Sequence, residues 1–238
     1  MQKNNVKLIA MDLDGTLTQH KSPLSAETRK TLEKLSEKYK LLMVGAGQVE
    51  RIFKQLGNFE IDIIGNYGLQ YGVFDKENSK MKILRDIVIE CDKKNIDEKI
   101  TRIREKYGFT EYKGNNVEFH PSGCVTFPIL GTDLKDKLAF DPDRKKRRKI
   151  YDDVVATFTD YCVFVGGSSS FDMSPKPYDK YYALELYCKE HGYLHNEVVY
   201  IGDDYGLGGN DESVYKSDFG YLTIDNYKDF SKVVAPLL

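Results

Sequence analysis

The sequence has few cysteines, no long hydrophobic run and almost no net charge. Its cysteines, Cys91, Cys124, Cys162 and Cys188, lie far apart and form no Cys-x-x-Cys pair, which predicts reduced thiols rather than a disulfide framework or a zinc site. No stretch of about 18 apolar residues occurs, so we expect no membrane-spanning helix. The short segment before the first apolar run does not resemble a secretory signal. We therefore expect a cytoplasmic protein that does not bind membranes.

The charge balance argues against nucleic acid as the main partner. Thirty-five Lys and Arg residues face 37 Asp and Glu residues, which gives a formal net charge of −2, and such a chain lacks the basic excess that nucleic acid requires. One basic run, residues 144–149, follows Asp141-Pro142 and is predicted to be the solvated face of a helix. A small molecule is the expected partner.

Short apolar runs alternate with helical patterns at both ends of the chain. The runs are 6–11, 41–44, 61–64 and 198–201. Such runs are typical of strands buried on both faces of a parallel sheet, and their order predicts an α/β fold with a Rossmann-like, doubly wound parallel sheet.

The pattern changes in the middle of the chain. A strand over residues 82–90, a helix capped by Asn95, a hairpin around Pro121-Ser122-Gly123, and a further helix and strands predict an α+β unit with antiparallel pairing. We therefore predict a core formed by residues 1–83 and 178–238, interrupted by an inserted α+β domain over residues 84–177.

Acidic residues follow two of the predicted strands. Asp12 and Asp14 come after the first strand, and Asp203 and Asp204 come after the strand near the end of the chain. Ligands of open parallel sheets bind outside the carboxyl ends of the strands. Converging carboxylates repel each other unless a hard cation with oxygen ligands lies among them, most often Mg²⁺. A single aspartate after a strand is usually a turn or cap residue, but the group predicts a magnesium site.

The stretch Asp12-Leu13-Asp14-Gly15-Thr16 resembles the nucleophile motif of the haloacid dehalogenase superfamily. Lys180 at a helix start, Gly202-Asp203 and Gly208-Gly209-Asn210-Asp211 follow in the order of that superfamily. Further stretches are similar to the eukaryotic-type phosphomannomutase branch: Val44–Gly47, Gln55–Gly57, Asn66–Leu69, Val117–Phe119, Gly166–Gly167, Ser170–Asp172 and Tyr178–Lys180. This resemblance implies a Rossmann-like core with an inserted cap of the C2B type, which determines substrate specificity, and a possible homodimer through that cap.

The resemblance also implies roles for the matching residues. Asp12 is expected to be the nucleophile that forms an aspartyl-phosphate, and Lys180 is expected to supply positive charge beside it. Asp14 is expected to act as general acid and then as general base, because a nearby acid facing negative charge keeps its proton more easily. The expected Mg²⁺ ligands are Asp12, Asp14 through its backbone carbonyl, Asp203 and, further out, Asp211.

The expected phosphate site departs from the family pattern at Gly47. The superfamily normally has Ser or Thr there, and its hydroxyl holds the phosphate. In its place we expect the backbone N–H groups of Gly45, Ala46 and Gly47 at the strand end to bind the anion. Arg51, one helical turn further, and Asn210 are additional candidates for phosphate binding.

The site for a second phosphate is also altered. Where the phosphomannomutase branch has arginines, this sequence has Lys21, His120 and Thr132. Ser170 and Asp172 match the sugar-hydroxyl contacts of the branch and, with Lys21 and His120, remain candidates for substrate binding. Without an arginine clamp, water is the expected acceptor of the phosphoryl group.

The sequence therefore predicts a Mg²⁺-dependent phosphatase acting on a phosphorylated sugar or similar polyol. One alternative is a phosphohexomutase with a remodelled second-phosphate site that uses Lys21, Lys113 or His120. Another is a phosphosugar-binding protein without catalytic activity, which the loss of the hydroxyl at Gly47 suggests.

Overall fold

The computed structural model describes residues 5–134, 137 and 139–238. The strands are, in chain order, β1 (Leu8–Met11), β2 (Lys40–Val44), β3 (Asp62–Gly65), β4 (Gln70–Asp75), β5 (Lys80–Asp86), β6 (Glu118–Phe119), β7 (Val125–Pro128), β8 (Tyr161–Phe164), β9 (Ser170–Pro175), β10 (Val198–Gly202) and β11 (Gly220–Thr223). The α-helices are α1 (Ala26–Ser36), α2 (Val49–Gln55), α3 (Lys93–Tyr107), α4 (Lys145–Arg148), α5 (Tyr151–Thr157), α6 (Lys180–His191), α7 (Glu212–Tyr215) and α8 (Phe230–Val233). None of these helices is long and apolar enough to cross a membrane.

The chain forms two compact units. The first contains the described residues up to Asp86 together with Asp179–Gly206 and Asp211–Leu238. The second contains Ile87–Tyr178 and the short segment Leu207–Asn210. The second unit is therefore inserted into the first, and it includes a few residues from the loop after β10.

A seven-stranded sheet in the order β11-β10-β1-β2-β3-β4-β5 forms the first unit. Its first five strands are parallel, whereas β4 and β5 are added antiparallel at one edge. The predicted α/β class with a parallel sheet is confirmed. The placement of a strand over residues 82–90 in the inserted domain is wrong, because β5 pairs with β4 in the core sheet. As an edge strand, β5 is mostly exposed, so its sequence lacks the continuous apolar run of a central strand.

Helices cover both faces of this sheet. Ile9 and Met11 of β1 pack into one apolar cluster with residues of α1, α2 and α8, and Leu8 and Ala10 pack into another with residues of α6. Alternate residues of a strand point to opposite faces, so a central strand needs apolar residues at every position. This requirement explains why the parallel strands are continuous apolar runs.

The register of the central strands determines where their carboxyl ends lie. Met11 of β1 is level with Met43 of β2 on one side and with Ile201 of β10 on the other. The residues that directly follow these strands therefore lie close together at the carboxyl ends of the parallel strands, which form one edge of the sheet.

The second unit has an antiparallel sheet in the order β6-β7-β9-β8. Its core packs Phe127 and Phe171 of the sheet with Ile100 of α3 and Val154 of α5. The helix α3 begins two residues before the predicted cap: its N-cap is Asp92, whose side chain accepts a hydrogen bond from the backbone N–H of Asn95.

The basic run in this unit is only partly a solvated helix face. The predicted single helix is two short helices, α4 and α5, and Arg147 in α4 is 1% exposed. Its Nε donates to Asp141 Oδ2 at 2.8 Å, and its Nη1 donates to the carbonyls of Gly166, Gly167 and Ser170. A buried arginine is stable only with such partners. The position of Arg147 within a run of charged residues does not indicate that its side chain is buried.

Replacing Arg147 by methionine should lower the free energy of unfolding by about 3–5 kcal/mol, because the carboxylate of Asp141 would stay buried without its cation. Urea denaturation at neutral pH measures this loss. The matched control is Lys149→Ala, which removes an exposed charge from the same run and should change the unfolding free energy by less than about 0.5 kcal/mol. A loss below about 1 kcal/mol for Arg147→Met would contradict the prediction.

In the first unit, His195 lies between two carboxylates. Its Nδ1 is 2.6 Å from Asp218 Oδ1 and its Nε2 is 2.5 Å from Glu185 Oε2. Burial lowers the pKa of His195, but the hydrogen bonds with Asp218 and Glu185 outweigh burial and raise it above its usual value. The pKa of Glu185 is lowered, first by Lys189 and also by His195.

We expect His195→Gln to reduce stability most near pH 6 and least above about pH 8. A histidine with a raised folded pKa adds stability below its unfolded pKa of about 6.5, and this contribution disappears as pH rises through the folded pKa. Urea denaturation of both proteins at the two pH values tests this, with exposed Lys228→Gln as control. A stability difference that grows with pH would refute the prediction.

Candidate active site

Three aspartates cluster at the edge of the sheet where β1 and β10 end. One carboxylate oxygen from each of Asp12, Asp203 and Asp211 lies within 4.8 Å of the others. Asp12 follows β1, Asp203 follows β10, and Asp211 precedes α7. A hydrogen bond from the backbone N–H of Asp204 to Asp211 Oδ2, at 3.1 Å, stabilises the conformation of the loop from β10 to α7. The parallel register thus brings Asp12 close to two acids that lie far from it in the sequence.

Lys180, the first residue of α6, connects two members of this cluster. Its Nζ donates to Asp12 Oδ1 and to Asp211 Oδ1, both at 2.7 Å, and its side chain is fully buried. The hydroxyl of Tyr200 in β10 also donates to Asp211 Oδ1, at 2.6 Å. Tyr200 was not predicted as a site residue, because within an apolar strand it reads as core.

The cluster contains three acidic side chains and one basic side chain. Burial raises the pKa of Asp12 well above its usual value, and Asp211 and Asp203 raise it further against the opposing effect of Lys180. Burial and Asp211 raise the pKa of Asp203 to about 6. Burial lowers the pKa of Lys180, but the attraction of Asp12 and Asp211 outweighs it, and the ammonium stays charged. Three carboxylates around one ammonium are a donor set that fits a divalent cation with oxygen ligands.

Gly15 allows the first loop to approach this cluster. Its φ is +100°, which favours glycine. A Cβ at this position would lie 2.3 Å from Asp203 Oδ2. The next residue, Thr16, donates its hydroxyl to Asp203 Oδ1 at 3.0 Å. The loop thus fixes the orientation of one carboxylate in the cluster.

The carboxylate of Asp14 has its own set of donors. Its Oδ1 accepts from Gln55 Nε2 and from the backbone N–H of Lys21, both at 2.7 Å, and Arg51 lies 3.4 Å from Oδ2. Burial raises the pKa of Asp14, but these contacts outweigh burial and lower it. The sequence argument expected a protonated acid here, whereas the structure favours the ionised form. Gln55, which also donates to Thr18, was not predicted to contribute.

The expected backbone cradle at the end of β2 is only partly available. The N–H of Gly45 donates to the carbonyl of Ile64 in the sheet at 2.9 Å. The prediction that this N–H binds phosphate is therefore wrong. In the described residues no hydrogen bond uses the N–H of Ala46 or Gly47. The guanidinium of Arg51 lies directly over Gly47. Lys21, which the sequence analysis proposed for substrate binding, contacts the site through its backbone N–H, which donates to Asp14 Oδ1.

The remaining predicted residues belong to the second unit. His120 Nε2 is 3.0 Å from the hydroxyl of Thr126, which donates to Asp172 Oδ1 at 3.0 Å. The hydroxyl of Ser170 donates to the carbonyl of Gly166 at 3.2 Å. Thr126, level with Asp172 across the β7–β9 pair, was missed by the sequence analysis. Asn210 lies in the segment Leu207–Asn210, which groups with this unit.

Comparisons with known proteins identify the family of this chain. A family model described as haloacid dehalogenase-like hydrolase matches residues 9–211. The phosphomannomutase of Saccharomyces cerevisiae is 27% identical over 219 residues, which cover 87% of this chain and 84% of that protein. The phosphomannomutase of Encephalitozoon cuniculi is 27% identical over 250 residues, which cover 100% of this chain and 96% of that protein.

Solved structures share the fold at low identity. An N-terminally truncated IMP-nucleotidase of Plasmodium falciparum has a TM-score of 0.74 and 14% identity, covering 99% of this chain and 71% of that one. A phosphatase of the haloalkanoate (HAD) enzyme superfamily from Bacteroides thetaiotaomicron has a TM-score of 0.61 and 13% identity, covering 98% of this chain and 95% of that one. Since the family model spans most of the sequence, the chain belongs to the haloacid dehalogenase-like hydrolases.

Proposed function

We propose that the protein is a Mg²⁺-dependent phosphatase that hydrolyses a sugar phosphate or similar phosphate monoester through an aspartyl-phosphate at Asp12. The observation that carries this proposal is the contact of Lys180 with Asp12 and Asp211 inside a cluster of three carboxylates. A buried, over-charged acid cluster of this kind is costly for stability and is typical of reactive sites.

Each residue of the cluster has a chemical role in this proposal. Asp12 and Asp203 would hold the cation, together with the backbone carbonyl of Asp14. The bound cation would neutralise charge on the phosphoryl oxygens. Asp211 has both oxygens engaged by donors, so it would mainly hold Lys180 in place. Lys180 reduces the repulsion between the carboxylate of Asp12 and an incoming phosphate.

Asp14 supports the hydrolytic half of the reaction. Its lowered pKa leaves a carboxylate at neutral pH, which is the form that takes a proton from an attacking water. In the first half of the reaction the leaving oxygen needs a proton. Asp14 would take this proton from solvent when the negatively charged ester binds beside it, pass it to the leaving oxygen, and so return to the carboxylate form that accepts a proton from water in the second half.

The second unit offers groups suited to a polyol. His120, Thr126 and Asp172 form a hydrogen-bonded series, and imidazole, hydroxyl and carboxylate are groups that pair with sugar hydroxyls. At the positions where the phosphomannomutase branch has arginines, this chain has Lys21, His120 and Thr132. A second phosphate would lack its planar, bidentate partners, which favours water as acceptor.

A second candidate is a phosphohexomutase. The observation in its favour is 27% identity to phosphomannomutases over nearly their whole length. Mannose 1-phosphate with a catalytic amount of a hexose 1,6-bisphosphate and Mg²⁺ separates the two reactions when free phosphate and isomerised product are measured together. We expect free phosphate. Isomer without free phosphate would refute the phosphatase. No turnover on a panel of sugar phosphates, with ligand binding unchanged by Asp12→Asn, would instead indicate a binding protein.

A further inference from the structure

A side chain at position 47 would disturb the guanidinium of Arg51 and not the backbone conformation. Gly47 lies just beyond β2, and β2 is the neighbour of β1, the strand that Asp12 follows. Its φ is outside the left-handed region, so the backbone would accept a side chain. A Cβ there, however, would lie 2.2 Å from Nη2 and 2.3 Å from Nε of Arg51. The guanidinium therefore occupies the space that a side chain at position 47 would need.

Arg51 is held loosely in this position. Its Nη1 donates to Gln55 Oε1 at 2.8 Å, but both Nη atoms are 3.4 Å from Asp14 Oδ2. Charge-assisted hydrogen bonds are usually about 2.7–2.9 Å long. The side chain is 40% exposed, and its Nε–H finds no acceptor among the described residues. Arg51 thus has donors to spare at the sheet edge.

We propose that Arg51 is the phosphate-binding side chain at the end of β2, and that glycine at position 47 provides the space that admits it. This inference rests on the proposed phosphate-ester function and adds a specific partner for the ester's phosphate. A guanidinium fork fits two phosphate oxygens at once, and its other edge stays on Asp14. A hydroxyl at position 47 and the guanidinium of Arg51 are then mutually exclusive occupants of the same space.

The competing interpretation is that Arg51 only holds Asp14 and α2 in place. Under that interpretation a serine at position 47 would not compensate for the loss of Arg51. Under the proposal it would, because its hydroxyl would enter the space that the guanidinium vacates. The two interpretations therefore differ in the phosphate affinity expected for the double variant, which is higher than that of Arg51→Ala under the proposal and no higher under the alternative.

The experiment measures binding of inorganic phosphate to the full chain by calorimetry in the presence of Mg²⁺. The proteins are the wild type, Gly47→Ser, Arg51→Ala and the double variant. Arg51→Ala should weaken phosphate binding by ~10–100-fold when position 47 is glycine. In the Gly47→Ser background the same change should cost less than ~3-fold, since the guanidinium is already displaced. Lys54→Ala, an exposed charge on α2, is the control and should stay within ~2-fold of the wild type.

Two results would overturn the inference: phosphate affinity unchanged in Arg51→Ala, or a double variant that binds phosphate as weakly as Arg51→Ala alone. Thermal unfolding checks that each variant is folded. Should Gly47→Ser fail to fold, Arg51→Lys decides: it keeps the charge but not the fork, and phosphate binding equal to the wild type would reject bidentate contact. Because the readout is binding, absence of hydrolysis in the wild type would remove the proposed phosphatase function without deciding the role of Arg51.

Discussion

We expect the Asp12→Asn variant to release phosphate from its ester substrate at least ~10³-fold more slowly than the wild type. The amide has nearly the shape of the carboxylate but cannot form an aspartyl-phosphate. The thermal stability of this variant, in contrast to its activity, should not decrease. Burial and the neighbouring acids raise the pKa of Asp12, so the ionised form is disfavoured in the folded protein. The neutral amide should therefore leave the melting temperature equal to that of the wild type or higher.

The matched control for this variant is Asp225→Asn. Asp225 is an exposed acid of the same unit that accepts a hydrogen bond from Tyr205. Its substitution should leave turnover within ~2-fold of the wild type. Phosphate release is measured together with covalent labelling by a radiolabelled ester, and Asp12→Asn should take up no label. Labelled protein, or turnover above a few per cent, would show that another group is the nucleophile.

The central part of this site was predictable because parallel strands leave an unambiguous pattern. The buried strands β1 and β10 are continuous apolar runs, and each is followed directly by an aspartate. The parallel arrangement then requires Asp12 and Asp203 to lie at the same sheet edge. The position of Asp211 in the cluster does not follow from strand order, because Asp211 lies in the loop between β10 and α7 and was predicted only through the resemblance.

Other features depend on partners that are distant in sequence. The burial of Arg147 depends on Asp141 and on three carbonyl groups in the second unit. The sequence shows only a basic run. The strand β4 went unnoticed, and the strand predicted over residues 82–90 was placed at the start of the inserted domain, whereas β5 pairs with β4 in the core sheet. The strand β5 is mostly exposed and lacks the continuous apolar run of a buried strand. In each case tertiary packing overrides the local pattern.

The contacts of Asp14 illustrate the same limit within the site. Its spacing from Asp12 was visible in the motif, but its protonation depends on Gln55, Arg51 and a backbone N–H in the loop before α1. Local sequence suggested an acid that keeps its proton. The fold supplies donors that favour the carboxylate instead.

Replacing Lys180 by methionine should both inactivate and destabilise the protein. The ammonium is the partner of Asp12 and of Asp211 in a fully buried position, and its removal leaves carboxylates facing each other. We expect phosphate release to fall by at least ~10³-fold and the unfolding free energy at neutral pH to fall by about 3–5 kcal/mol. Lys189→Met on the same helix, where the lysine is 71% exposed, should change the unfolding free energy by less than about 0.5 kcal/mol.

The stability loss of Lys180→Met should depend on pH in one direction. Acids whose pKa is raised in the folded state cost stability above that pKa, and the cost disappears as pH falls toward the unfolded value of about 3.9. The pKa of Asp203 is already about 6 in the wild type, and without Lys180 the acid pKa values rise further. Urea denaturation should therefore show a smaller difference from the wild type at pH 5 than at pH 8. An equal loss at both pH values would mean that Lys180 stabilises the fold through packing and not through its charge.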